Sequence, residues 1–199
     1  MNLRGLHLLV SYRCILECDH CFVWGSPGQQ GTMSGAQVES ILHQGKKVGT
    51  VEWAYFEGGE PFLFYPILVS GVQLARVLGF RVGLVSNAYW ATNPEDAKEW
   101  LKPFAGAVED LSISCDLHHA DERKSLQASN AIDAAEKLGI PVSPVSIANP
   151  DEMNSGQLSE GQSPLRYRGR AAKRLAAEAQ LHPWEEFDRC PYEDLREPE

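Results

Sequence analysis

Three thiols crowd into eight residues near the start of this chain: Cys14, Cys18 and Cys21, spaced C-x3-C-x2-C. Thiolates are the ligands of iron–sulfur clusters, and a cubane cluster needs four to close it. Three on one loop hold three irons and leave the fourth open to a small molecule, as an open coordination position does in a catalytic zinc site. Two other readings share the same residues. One is structural zinc, with its fourth ligand drawn from His20, Cys115 or Cys190. The other is a ferredoxin-like electron carrier, which would want a fourth cysteine of its own. The chain has five cysteines in all. Disulfide frameworks in small secreted domains spread their cysteines along the sequence, so this crowding points to metal or redox ligands instead.

Gly58-Gly59-Glu60-Pro61 is a second constellation. Paired glycines let backbone approach a ligand closely, and Glu60 offers a carboxylate acceptor to an ammonium group. The same four residues also spell an ordinary strand-to-helix turn. Ser86-Asn87 reads equally as a polar turn or as part of a pocket. Ser114 and Asp116 flank Cys115, itself read as a small buried hydrophobe. His118 and His119 are adjacent at a helix start and do not share a face, so they read as surface residues. Trp53, Trp90, Trp100 and Trp184 read as packing. Arg166, Arg168, Arg170, Lys173 and Arg174 form one basic cluster. It is either a solvated helix face or a place where a guanidinium fork takes a carboxylate or phosphate.

These residues need a scaffold, and 199 residues at 43% hydrophobic and 23% charged supply one globular domain plus a tail. No apolar run approaches the roughly 18 residues of a membrane span, and the N-terminus lacks the features of a signal peptide. A cytoplasmic protein is expected. The net charge of −9 argues against a nucleic-acid surface. That charge is uneven: residues 183–199 carry seven acids against Arg189 and Arg196, while the body is nearly balanced.

Short apolar strands alternate with amphipathic helices along the body. Leu6 to Val10 reads as a strand, followed by a Gly/Pro/Cys-rich loop to about Thr32. Ser34 with Gln37 forms a capping box for a helix presenting Val38, Ile41 and Leu42. Strands follow at Val51–Phe56, Phe80–Val85, Val108–Ser114 and Val142–Ile147. Between them come a helix from Ile67 to Leu78 stopped by Gly79, one begun by Thr92-Asn93-Pro94, and one ended by Gly139. Asn149–Ser163 reads as polar loop, Leu165–Arg168 as a short sixth strand, and Ala171–Gln180 as a helix of strong helix formers. Repeated βα units imply a parallel sheet with right-handed crossovers, whose site lies at the C-terminal ends of the strands. The cysteine loop, Gly58–Pro61 and Ser86-Asn87 all fall at such ends.

On these residues the chain resembles the radical S-adenosylmethionine superfamily, whose signature is C-x3-C-x2-C in the loop after the first strand of a partial (βα)6 barrel. The resemblance covers about residues 6 to 170. It implies an α/β fold, a partial (βα)6 TIM-like barrel of parallel strands. The fifth βα unit is expected to be reduced, since Asn149–Ser163 is too polar for a normal helix. Cys14, Cys18 and Cys21 would hold a 4Fe-4S cluster, with S-adenosylmethionine on the open iron. Its reductive cleavage would give methionine and a 5′-deoxyadenosyl radical that abstracts hydrogen from a substrate.

The resemblance also implies that Gly58, Gly59, Glu60 and Pro61 contact the amino group of S-adenosylmethionine, and Ser86 and Asn87 its ribose or carboxylate. His20 stands where the family often places an aromatic ring near the adenine. Arg170 lies in a Gly-Arg-Ala turn like that of several peptide-modifying relatives and would contact cofactor or substrate. The partners implied are a small-molecule or peptide substrate and an electron donor such as flavodoxin or ferredoxin, with no nucleic acid and no membrane. Phe187–Pro191 looks like the beginning of the cysteine-rich C-terminal extension of such enzymes. The expected organisation is therefore a barrel domain over 1–181 and an acidic tail over 182–199, a truncated start of that extension. The alternative is a non-catalytic zinc- or iron–sulfur-binding module serving structure or electron transfer.

Overall fold

The computed structural model describes residues 2–115, 122–156, 158 and 162–179. Asp116, His118, His119, Trp184, Cys190 and the expected tail over 182–199 lie outside the described residues.

Six parallel strands form one sheet in the order in which they occur along the chain: β1 (Gly5–Ser11), β2 (Trp53–Gly58), β3 (Arg81–Ser86), β4 (Asp110–Ser114), β5 (Val142–Ile147) and β6 (Gln162–Ser163). Each connection carries the chain back to add the next strand on the same side, which is the winding of a partial (βα)6 barrel. The helices are α1 (Gly35–Val48), α2 (Tyr65–Val77), α3 (Pro94–Leu101), α4 (Glu122–Lys137), α5 (Pro150–Ser155) and α6 (Arg170–Arg174). Their limits follow local chemistry. Ser34 and Gln37 make the expected reciprocal cap on α1, and Asn93 caps α3 through the amide of Asp96, with Pro94 in its first turn.

Alternation along each strand separates two faces. Leu8 and Val10, Ala54 and Phe56, Val82 and Leu84, and Leu111 and Ile113 are buried against the helix layer. The register aligns them into rows, with Leu8 beside Phe56, Phe56 beside Leu84 and Leu84 beside Leu111. The opposite, concave face is polar and aromatic. His7, Tyr55, Gly83 and Asp110 form one row across four strands. Gly83 leaves room for the Tyr55 ring, whose hydroxyl reaches Asp110 Oδ2 at 3.0 Å.

The fifth unit is short but folded. Asn149 and Glu152 form a capping box on α5, and Gly156 ends the helix in the left-handed conformation. The polar loop expected over Asn149–Ser163 therefore contains a helix of six residues. Two further expectations are corrected. The sixth strand is Gln162–Ser163 rather than Leu165–Arg168, because the pairing to β5 through Ser146 and Ile147 leaves the latter segment beyond the sheet. The last helix begins at Arg170 and gives way to a 3₁₀ turn over Ala176–Glu178 instead of continuing to Gln180.

Candidate functional site

The loop after β1 doubles back on itself before α1. Tyr12 N donates to Gly31 O at 3.1 Å, Cys14 N to Ser26 O at 3.1 Å, and Met33 N to Val10 O at 2.9 Å. Within this fold Cys14 and Cys21 are brought together, and Cys21 N donates to Cys18 O at 3.2 Å. Cys14 is buried, while Cys18 and Cys21 are half-buried. A Cβ added at Gly25 would lie 3.4 Å from Cys14 Cβ and 3.6 Å from Cys21 Sγ, so Gly25 sits between them.

Backbone amides face the sulfurs. Leu16 N lies 3.4 Å from Cys14 Sγ and Gly25 N lies 3.2 Å from Cys21 Sγ. Such N–H···S contacts stabilise the negative sulfur of a thiolate bound to iron. Burial pushes the Cys14 thiol up, helped by the negative charges of Glu60 and Cys21 and opposed by the Leu16 amide. Cys14 is thus a poor free nucleophile, and a metal that displaces its proton relieves the conflict. Among the described residues no three His, Cys, Asp or Glu side chains are gathered around one point, as a single ion requires. A cluster asks less of them, because each thiolate takes a different iron. The donor set fits a cluster.

The ends of β2 and β3 press on this loop. Gly59 N donates to Ser11 O at 2.6 Å and Glu60 N to Arg13 O at 2.9 Å. A Cβ on Gly59 would lie 2.8 Å from Tyr12 O, and one on Gly58 3.2 Å from Ser11 N. The close approach that the paired glycines permit is therefore to the cysteine loop. Pro61 opens a 3₁₀ turn over Pro61–Phe64, and Phe62 stacks on Trp90 at 4.7 Å between centroids. Trp90 and Trp100 do pack in this aromatic cluster.

Glu60 is fully buried. Its Oε1 accepts from Phe62 N at 3.1 Å and from Ser86 Oγ at 3.0 Å, and its Oε2 accepts from Asn87 N at 2.8 Å. Desolvation raises its pKa to about 7 against the pull of these three donors. The Ser86 hydroxyl also accepts from Ala88 N and from Trp90 Nε1, so it is enclosed by protein partners. Asn87 is different. Its Nδ2 lies 3.5 Å from Cys14 Sγ while its Oδ1 accepts from Tyr89 N. One network thus joins Glu60, Ser86, Asn87 and Cys14.

The remaining expected residues divide. His20 is half-buried in the cysteine loop. Arg170 is 2% exposed, and its guanidinium donates to backbone carbonyls of the loop. Cys115 packs against the core, its amide bonded to Val145 O at 2.8 Å. Three features escaped sequence reasoning. Gly25 had the signal of a glycine four residues past Cys21. Arg174 reaches Glu17 and Asp19 in the loop, and a basic residue more than 150 positions away carries no sequence mark of its partner. The concave row around Tyr55 was hidden because His7 and Glu57, paired at 2.7 Å, come from different strands.

A family model described as the Radical SAM superfamily matches residues 8–150. YydG of Bacillus subtilis, named as a peptide biosynthesis protein, is 27% identical over 150 residues, covering 74% of this chain and 47% of YydG. A Pyrococcus furiosus protein is named as modifying the cofactor of a tungsten-containing aldehyde ferredoxin oxidoreductase. It is 29% identical over 110 residues, which is 55% of this chain and 29% of that protein. In structure, Streptococcus suis SuiB bound to S-adenosylmethionine superposes with a TM-score of 0.59 at 17% identity, over 74% of this chain and 35% of SuiB. The protein anSMEcpe with bound AdoMet gives 0.60 at 16% identity, over 82% and 52%. These likenesses bear on the fold. The chain spans about half or less of the length of the curated relatives it matches.

Proposed function

The chain belongs to the Radical SAM superfamily, and on that premise we propose that Cys14, Cys18 and Cys21 hold a 4Fe-4S cluster with S-adenosylmethionine on its fourth iron. The chemistry that these bound cofactors supply is one-electron reductive cleavage of S-adenosylmethionine to methionine and a 5′-deoxyadenosyl radical, which abstracts hydrogen from a substrate. The protein's own residues hold and orient. Leu16, Gly25 and Asn87 direct N–H groups at the cysteine sulfurs. Gly58 and Gly59 bring the end of β2 against the loop without a side chain between them, which leaves the contact to the methionyl amino group with the backbone of Gly58–Pro61. Glu60 and Ser86 brace Asn87 from behind, so the side-chain contacts first expected of them pass to Asn87. His20 is assigned to the adenine.

The observation that carries this reading is the meeting of three strand ends on one cysteine loop, tied by the Asn87 contact to Cys14. The polar, aromatic concave face with His7, Tyr55, Glu57 and Asp110 is the place assigned to the substrate. A peptide is the substrate class favoured by the name of YydG. An electron donor of the flavodoxin or ferredoxin kind is required to reduce the cluster. Thiols that ligate iron suit a reducing compartment, the cytoplasm; among the described residues no helix is long and apolar enough to cross a membrane.

The test is anaerobic reconstitution with iron and sulfide, followed by assay for 5′-deoxyadenosine from S-adenosylmethionine under reduction. Wild type should release it and Cys18→Ala should not. Cleavage that survives Cys18→Ala would overturn the proposal. Stoichiometric zinc without charge-transfer absorption would favour a metal-binding module without catalysis.

A further inference from the structure

Helix α6 is five residues long, yet its residues reach back across most of the chain to the cysteine loop. Arg170 places Nη1 at 2.7 Å from Cys18 O and Nη2 at 2.7 Å from Gly25 O, while its backbone N lies 2.9 Å from Cys21 O. One residue therefore fixes the carbonyls of the second and third cysteines and of the glycine whose own amide faces Cys21 Sγ. The side chain is 3% exposed, and among the described residues its ion-pair partner is Glu17, 4.0 Å from Nε. A buried cation costs free energy unless its donors are satisfied. Here two of the loop's carbonyls each take an N–H of the planar fork that distinguishes arginine from lysine.

The neighbouring residues act on the same loop. Gly169 takes φ 56, and a Cβ there would lie 2.8 Å from Cys21 O and closer still to the Phe22 carbonyl. Only glycine fits that approach in that conformation. One turn on, Arg174 pairs with Glu17 at 3.0 Å and with Asp19, the residues that precede and follow Cys18. Trp24 stands at φ 61, a left-handed conformation unusual for a side chain of its size, with Arg170 Cζ 5.9 Å from its ring and Lys173 Nζ 5.7 Å from it.

We infer that Gly169, Arg170 and Arg174 form a clamp, with Arg170 as the positioning residue that holds the Cys18–Gly25 backbone in the spacing the cluster requires. The last unit of the partial barrel thereby locks the loop of the first. This inference rests on the reading of the three cysteines as cluster ligands, and it explains a buried arginine that the proposed chemistry itself does not use.

Two measurements on the full chain test it, in wild type, Arg170→Lys, Arg170→Gln and the exposed surface control Lys47→Gln. Hydrogen exchange of the apoprotein reads the loop without any cluster. Arg170→Gln should speed exchange of amides over 16–25 by about tenfold or more, the loss of one or two charge-assisted bonds, and leave β1 to β4 unchanged. After reconstitution, iron loss to a chelator should be about tenfold faster in Arg170→Gln and intermediate in Arg170→Lys, which keeps the charge without the fork. Lys47→Gln should match wild type in both. Wild-type exchange over 16–25 in Arg170→Gln, or acceleration spread evenly over the sheet, would overturn the clamp. Wild type that binds no iron would end the cluster reading alone, since the exchange experiment still decides the clamp.

Discussion

The side-chain amide of Asn87 points at the sulfur of Cys14 from 3.5 Å away, joining the end of β3 to the first cysteine across 73 positions of sequence. An N–H donor at a cluster sulfur stabilises the reduced, more negative state, and so raises the reduction potential. Asn87→Ala should lower the potential by roughly 40 mV, the one-electron equivalent of a bond worth about 1 kcal/mol. Iron content should hold, since the three thiolates remain. An electron paramagnetic resonance titration reads the midpoint; an unchanged potential would remove Asn87 from the sulfur's surroundings.

Glu60 makes stability depend on pH in an unusual direction for a carboxylate. Its folded-state pKa is pushed up to about 7 by burial, against 4.5 in water. The native state therefore holds the proton more tightly than the unfolded chain. The advantage is complete below about pH 4.5 and is lost as pH rises through about 7, lowering stability by about 3 kcal/mol on the alkaline side. Urea unfolding of the apoprotein should show this loss between about pH 5 and 8, and Glu60→Gln should flatten it. Wild type that gains stability relative to Glu60→Gln over that interval would contradict the burial argument.

The strand-and-helix alternation was legible because its signals are local. Ser34 with Gln37, Pro94 and Gly139 each mark a helix end through chemistry within a few residues, and five of the six strands lie within a few residues of where the apolar runs place them. The cysteine spacing was equally local. What remained hidden depends on contacts between distant segments. Ser86 reads as a ligand-facing polar residue until Glu60 and Trp90 are seen around its hydroxyl. Arg170 reads as an anion site until Cys18 and Gly25 are seen to present carbonyls. The sixth strand is two residues long, too short for an alternating pattern to register, so the apolar Leu165 drew the expectation away from it.

Helix α5 is hard to read from the sequence even though its signal is local. Asn149 and Glu152 satisfy each other's backbone amides at 2.9 Å and 2.8 Å, but the helix is polar enough to resemble a loop. Asn149→Ala should cost about 1 kcal/mol, the usual worth of a cap. It should leave cluster uptake intact, because α5 does not touch the cysteine loop through this pair. Thermal unfolding and iron content measured together check both halves. A large loss of iron would mean that the fifth unit supports the site more directly than its cap suggests.

Gly59 provides a sharper test of how the strand ends hold the loop. Its amide is 2.6 Å from Ser11 O, and the space where a Cβ would stand is filled by backbone, with Tyr12 O at 2.8 Å. Backbone cannot swing aside as a flexible side chain can, so Gly59→Ala must push the end of β2 away from the loop. The expected cost is about 1–3 kcal/mol, with reduced iron uptake, since Glu60 and Asn87 move with β2 and β3 relative to Cys14. Gly35 is the control: it opens α1 with nothing within 4 Å of its added Cβ. Gly35→Ala should be neutral or stabilising by about 0.5 kcal/mol, through reduced freedom of the unfolded chain. If Gly59→Ala matches Gly35→Ala in unfolding temperature and iron content, the close approach of β2 to the cysteine loop does not hold the site. If only Gly59→Ala loses iron, the paired glycines are there to let backbone meet backbone beneath the cluster.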